Sequence, residues 1–111
     1  MARYMCAFSA DAPRERLLPS LSEVLQACNF EIIYDTEDYM MGREIPGRVA
    51  FAKLVTVEAL VDKTKTTARN ARMSFVIKNE ELPLHDDNHC RQMFDVLKRS
   101  IQENTGWQLQ A

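Results

Sequence analysis

The sequence predicts an α+β domain in which two helices cover one face of a curved antiparallel sheet. Three observations lead there. Five segments alternate apolar and polar residues with the period of a β-strand, and two others place apolar residues at helical spacing. The four strands in the middle and later part of the chain follow one another with only short polar stretches between them, which pairs neighbours antiparallel. The predicted order is β-α-β-β-β-β-α.

Residues 3–10 open the chain as a strand, with Tyr4, Cys6 and Phe8 on one side. Asp11 offers a helix cap and Pro13 suits a first turn. Leu17, Leu21, Val24, Leu25 and Cys28 then share one helical face. Pro19 falls inside that pattern, so either the helix kinks there or it restarts there after a loose first turn. Phe30 to Tyr34 and Tyr39 to Ile45 read as strands joined by a polar turn, and Pro46-Gly47 is a turn signal. A long strand is expected from about Ala50 to Asp62, with Val55, Val57, Ala59 and Val61 on its inner side. After a polar loop at 63–70, Ala71, Met73, Phe75 and Ile77 form the inner side of the next strand. His85 to Asn88 supplies a capped start for a helix whose stripe is Cys90, Met93, Phe94, Leu97 and Ile101, running to about Asn104. Residues 1–104 are thus expected to form one domain and 105–111 a short tail.

The bulk properties exclude several classes. A chain of 111 residues with 46% hydrophobic and 27% charged residues suits one core and argues against disorder. No apolar run approaches the roughly 20 residues that a membrane helix needs. The first residues lack the apolar stretch of an export signal, so a cytoplasmic protein is expected. Three widely spaced cysteines fit that expectation, each placed as a small hydrophobe.

Charge is distributed unevenly. Residues 1–42 carry a net −4, residues 43–78 a net +5 and residues 79–111 a net −3. The basic middle contributes Arg43, Arg48, Lys53, Lys63, Lys65, Arg69 and Arg72 as candidates for binding an anion or an acidic partner. Between Arg43 and Arg72 only Phe51 is aromatic, which disfavours base stacking, so nucleic acid is the weakest of the partner classes. Tyr34 and Tyr39 flank an acidic turn suited to protein recognition, and Leu60 falls on the outer side of its strand. Together with Trp107 they are the candidate interface residues. Trp107 follows Gly106, a natural left-handed helix cap. Such a large aromatic is expected either to pack on its own domain or to dock on a neighbouring subunit.

The cluster His85-Asp-Asp-Asn-His89-Cys90 carries metal-capable side chains, but no second ligand cluster accompanies it and Cys90 belongs to the apolar stripe, so a capped helix start is the better account and no metal or other cofactor is expected. No nucleophile elbow or phosphate-binding glycine loop is present, with glycines only at 42, 47 and 106. The chain is therefore read as a non-enzyme.

The order of elements resembles one repeat of the TATA-box-binding-protein fold and, more loosely, the helix-grip folds. The stretches Tyr34-Asp-Thr-Glu-Asp-Tyr-Met-Met-Gly-Arg-Glu-Ile-Pro-Gly47 and Lys78-Asn-Glu-Glu-Leu-Pro-Leu-His-Asp-Asp-Asn-His-Cys-Arg-Gln92 resemble a family of small cyanobacterial proteins of unassigned function. That resemblance implies a cytoplasmic setting and supplies no site residues. The leading expectation is a binding or accessory protein, in keeping with a homodimer, acting through an open sheet face that presents Thr56, Glu58, Leu60, Arg72, Ser74 and Val76. The alternatives are a pocket for a small hydrophobic ligand between sheet and helices, lined by Met5, Met40, Met41, Met73 and Met93, or weak nucleic-acid binding through the basic middle.

Overall fold

The computed structural model describes residues 1–110 apart from Lys65, Ala68, Arg69, Pro83 and Asp86. Six strands form one antiparallel sheet: β1 (Ala2–Ala10), β2 (Phe30–Asp35), β3 (Tyr39–Glu44), β4 (Thr56–Val61), β5 (Ala71–Asn79) and β6 (Gln108–Gln110). Their order across the curved sheet is β2-β3-β4-β5-β1-β6. Two helices, α1 (Leu17–Ala27) and α2 (His89–Thr105), pack on the same face and against each other. The fold is the α+β arrangement that the periodicities predict.

The inner face is built by alternation. Phe8 and Ala10 of β1, Met40 of β3, Val57, Ala59 and Val61 of β4, and Ala71, Met73, Phe75 and Ile77 of β5 are all buried. They meet Leu17, Leu18, Leu21, Val24 and Leu25 of α1 and Cys90, Phe94, Leu97 and Ile101 of α2. Gly42 faces Leu25 of α1, and a β-carbon there would sit in ordinary van der Waals contact with the Leu25 side chain at 3.5 Å.

Three local expectations are corrected. The first helix does not start at Asp11: a single 3₁₀ turn, Arg14–Arg16, precedes α1. Pro19 then lies in the first turn of α1, where its missing N–H costs nothing because the first amides of a helix have no intrahelical acceptor. The helix restarts just before Pro19 and does not kink at it. The long strand from Ala50 is broken too: Phe51–Lys53 is a 3₁₀ turn closed by the Lys53 N–H on the Ala50 carbonyl at 2.8 Å, and β4 begins only at Thr56. Beyond Thr105, Gly106 takes φ 73° and turns the chain back, so that Gln108–Gln110 pairs with β1 and adds a strand where a tail was expected.

Candidate functional site

Register determines what the uncovered face presents. Tyr34 pairs with Met41, Met41 with Glu58, Glu58 with Val76, and Val76 with Met5, a row across five strands. The next row runs Tyr39, Leu60, Ser74, Ala7 and Gln110. Directly opposed strand residues point to the same face, so these two rows form one surface opposite the helices. Met5, Leu60 and Tyr34 are 58%, 52% and 55% exposed, which is high for large apolar groups in strands. The Tyr34 and Tyr39 rings lie 5.8 Å apart across the diagonal of the β2–β3 pair. A bulge between Ile32 and Tyr34 is what returns Tyr34 to this face, since an extra residue reverses the alternation.

A third row, Arg43, Thr56, Lys78 and Arg3, borders the apolar rows on one side. Lys78 pairs with Glu58 at 3.0 Å and Arg43 with Glu31 at 3.3 Å. Arg3 has no carboxylate partner among the described residues; its guanidinium reaches only the Met5 sulfur at 3.8 Å. The face is thus largely apolar at its centre, around Glu58, with a charged margin in which Glu31 pairs with Arg43 and, of its cations, Arg3 alone lacks a carboxylate partner among the described residues.

The basic residues singled out from the sequence do not come together. Arg43 lies on the open face at one end of the sheet and Arg72 at the other end of β5. Lys63 is held by Asp38 at 2.7 Å, which lowers the Asp38 carboxyl below the usual aspartate value chiefly through that hydrogen bond. Lys53 is in the 3₁₀ turn, and Arg48 lines a cleft on the helical side with Asn29 and Met93. Lys65 and Arg69 lie outside the described residues. Of the interface candidates, Tyr34, Tyr39 and Leu60 share the open face, whereas Trp107 packs on its own domain on the helical side and is 7% exposed. The five methionines do not line one space. Met40 and Met73 are in the core, while Met5 and Met41 face the other way.

A buried polar cluster at the start of α2 was not legible as such. Glu44, 2% exposed, receives the Val55 N–H at 3.2 Å, and its two carboxylate oxygens lie 2.9 and 3.1 Å from His89 Nε2. Glu81 receives the Asn79 side-chain amide and the backbone N–H groups of Cys90 and His89. Burial pushes the Glu81 carboxyl up, but these hydrogen bonds outweigh it and leave the group below the usual glutamate value. Asn88 caps α2 by accepting the Arg91 N–H at 2.8 Å and donates to the Tyr4 hydroxyl. The segment from His85 therefore organises a helix start. Among the described residues no group of three metal-capable side chains forms. One signal for the cluster was available: Glu44 continues the inner alternation of Met40 and Gly42, an acid where a core residue belongs.

The cysteines behave as packing groups. Burial pushes the Cys6 and Cys90 thiols up to about 11, which keeps both protonated at neutral pH. No helix among the described residues is long and apolar enough to cross a membrane.

No family model matches the chain, and no curated protein matches it. Among solved structures, the crystal structure of an HSP90 activator from Plasmodium falciparum is similar, with a TM-score of 0.66 over 99% of this chain and 100% of that one, at 8% identity. A protein from Deinococcus radiodurans aligns with a TM-score of 0.46 and 13% identity over 95% of this chain and 99% of that one. The likeness is one of fold.

Proposed function

We propose that the protein is a non-enzymatic accessory protein that binds another protein through the open face of its sheet. One observation carries this reading: the register gathers Met5, Met41, Leu60, Val76, Tyr34 and Tyr39 on the one face that neither helix covers. Contiguous exposed apolar surface with a polar margin is the usual mark of an interaction site. The protein of similar fold described as an HSP90 activator supports an accessory role acting on a protein partner. A cytoplasmic setting, a small cyanobacterial family and a homodimer belong to the same proposal, a second copy being the simplest occupant of the face.

Two exposed apolar residues in neighbouring rows, Met5 and Leu60, make the test clean, because a charge at either site leaves the core untouched. Light scattering across concentration, and affinity purification from the source cells, should be run with the wild type and with the Met5→Glu/Leu60→Glu variant. The expected result is an association or a co-purifying protein that the variant loses. An identical set of partners and an identical mass for both proteins would overturn the proposal.

A further inference from the structure

The open face holds one oxidisable side chain that stands clear of its neighbours. Met5 is 58% exposed within β1, whereas Met41 on the same face and Met93 of α2 are half-buried, and Met40 and Met73 lie in the core. Met1 is also exposed, but it precedes β1 and lies outside the paired rows. A thioether gives an electron pair to a peroxide without ionising first, so access largely decides which methionine reacts. Directly opposite Met5 lies Val76, and Glu58 and Met41 continue the row. A sulfoxide at Met5 would put a polar group with a strong acceptor into that row, a change that disrupts methionine-bearing interfaces.

A donor for that acceptor is already in place. Arg3 stands two residues earlier on the same side of β1, with its Nη1 donating to the Met5 sulfur at 3.8 Å. A thioether is a weak acceptor, so the contact is poor as it stands. A sulfoxide oxygen would turn it into a charge-assisted hydrogen bond. No carboxylate among the described residues competes for this guanidinium.

We propose that Met5 is a reversible modification site: a hydroperoxide transfers one oxygen to its sulfur, and Arg3 holds the resulting sulfoxide oxygen. The sulfur supplies the electron pair, the O–O bond breaks, and the peroxide leaves as water or an alcohol. Two thiols, acting through a sulfoxide reductase, return the thioether and leave as a disulfide and water. The consequence for binding rests on the open-face reading, because a polar group then stands where an apolar partner would dock.

Hydrogen peroxide in small excess, followed by peptide mass mapping over time, tests the site. Met5 is expected to convert several-fold faster than Met41 or Met93, with Met40 and Met73 reacting only in urea. Epimer-specific sulfoxide reductases then test Arg3, which stands to one side of the sulfur. The two Met5 sulfoxide epimers should form unequally, by about threefold or more, and approach equality in Arg3→Gln. Association is read by light scattering and by co-purification, with Met5→Leu as the variant that keeps apolar volume and cannot be oxidised there. After peroxide the wild type should bind about tenfold more weakly and recover with the reductases, while Met5→Leu keeps its binding. Equal conversion of Met5, Met41 and Met93, epimers unmoved by Arg3→Gln, or equal loss of binding in Met5→Leu and wild type would overturn the proposal. Untreated protein that associates with nothing would instead sink the open-face reading, and the mapping and epimer ratios alone would then decide for or against the Met5 site.

Discussion

Glu44 ends β3 with its carboxylate turned into the domain, where His89 and the Val55 N–H are its partners. With the carboxylate accepting, the ring proton is on Nε2, and the pair joins the end of one strand to the first turn of α2. The side chains of Glu44 and His89 are only 3% and 15% accessible; without Glu44, His89 loses its carboxylate and Val55 its acceptor, and without His89 the buried Glu44 carboxylate keeps the Val55 N–H as its side-chain partner. Glu44→Ala or His89→Ala is therefore expected to cost about 3–5 kcal/mol, read as a lower urea midpoint at constant slope. A loss below about 1 kcal/mol would mean that the pair is hydrated, like a surface bridge. Nearby, Glu81 carries a pH dependence whose sign is fixed. Its folded-state pKa is depressed, so its contribution is fully present above the ordinary glutamate value and is lost as pH falls below it. Replacing Glu81 with Gln should flatten the acid side of the stability profile between about pH 5 and pH 3, measured by urea melts at each pH. The thiols give a third residue-scale test: Cys6 and Cys90, raised to about 11, should react slowly with a thiol reagent at neutral pH in the native protein and quickly in urea. Little of this was visible beforehand. Periodicity shows which positions face inward, but not that Glu44 and His89, 45 residues apart, meet there.

At the scale of elements, the alternations and helical stripes translated almost directly into β1 to β5, α1 and α2, because each has an apolar side that must be covered. Where the reading departed from the structure, a competing hydrogen bond decided. Ala50 to Val55 is apolar enough to be read as the start of a strand, but the Lys53 carbonyl is taken by the Asn79 amide and the Val55 N–H by Glu44, so that stretch turns and enters the sheet late. Asp11 has the chemistry of a cap, yet the 3₁₀ turn from Arg14 intervenes. The ends of both helices rest on left-handed residues, Asn29 at φ 73° after α1 and Gly106 at φ 73° after α2. Gly106→Ala should destabilise the protein by about 1 kcal/mol and weaken the β1–β6 pairing, while Asn29→Gly should be neutral or slightly stabilising. Thermal melts and amide exchange at Phe8 and Leu109 would show both effects. Equal melting temperatures for Gly106→Ala and wild type would mean that the turn into β6 does not depend on that conformation.

For the whole molecule, one sheet separates two environments. Its inner face carries the core and the buried polar cluster, and its outer face carries exposed Met5, Leu60 and Tyr34 beside a charged margin of paired ions. The outer positions of β4 and β5 were readable from the sequence, since strand alternation assigns Thr56, Glu58, Leu60, Arg72, Ser74 and Val76 without ambiguity. The company they keep was not. Strand order brings β1 beside β5 and so places Met5 next to Val76, and a bulge puts Tyr34 beside Tyr39. The same topology disperses the basic middle, because a segment that is continuous in sequence spans both ends of the sheet and the loops around it. The methionines offer the most direct measurement of whether the outer face is the working surface. Met5 and Met41 lie on it, and Met40 and Met73 lie in the core. With methionine methyl groups labelled with ¹³C, spectra should be compared between the protein alone at low concentration and the protein with its bound partner, whether a second copy or another protein. Shifts and broadening confined to Met5 and Met41, with Met40 and Met73 unmoved, are the predicted result. Binding that leaves Met5 and Met41 unchanged would place the interface elsewhere and contradict the account.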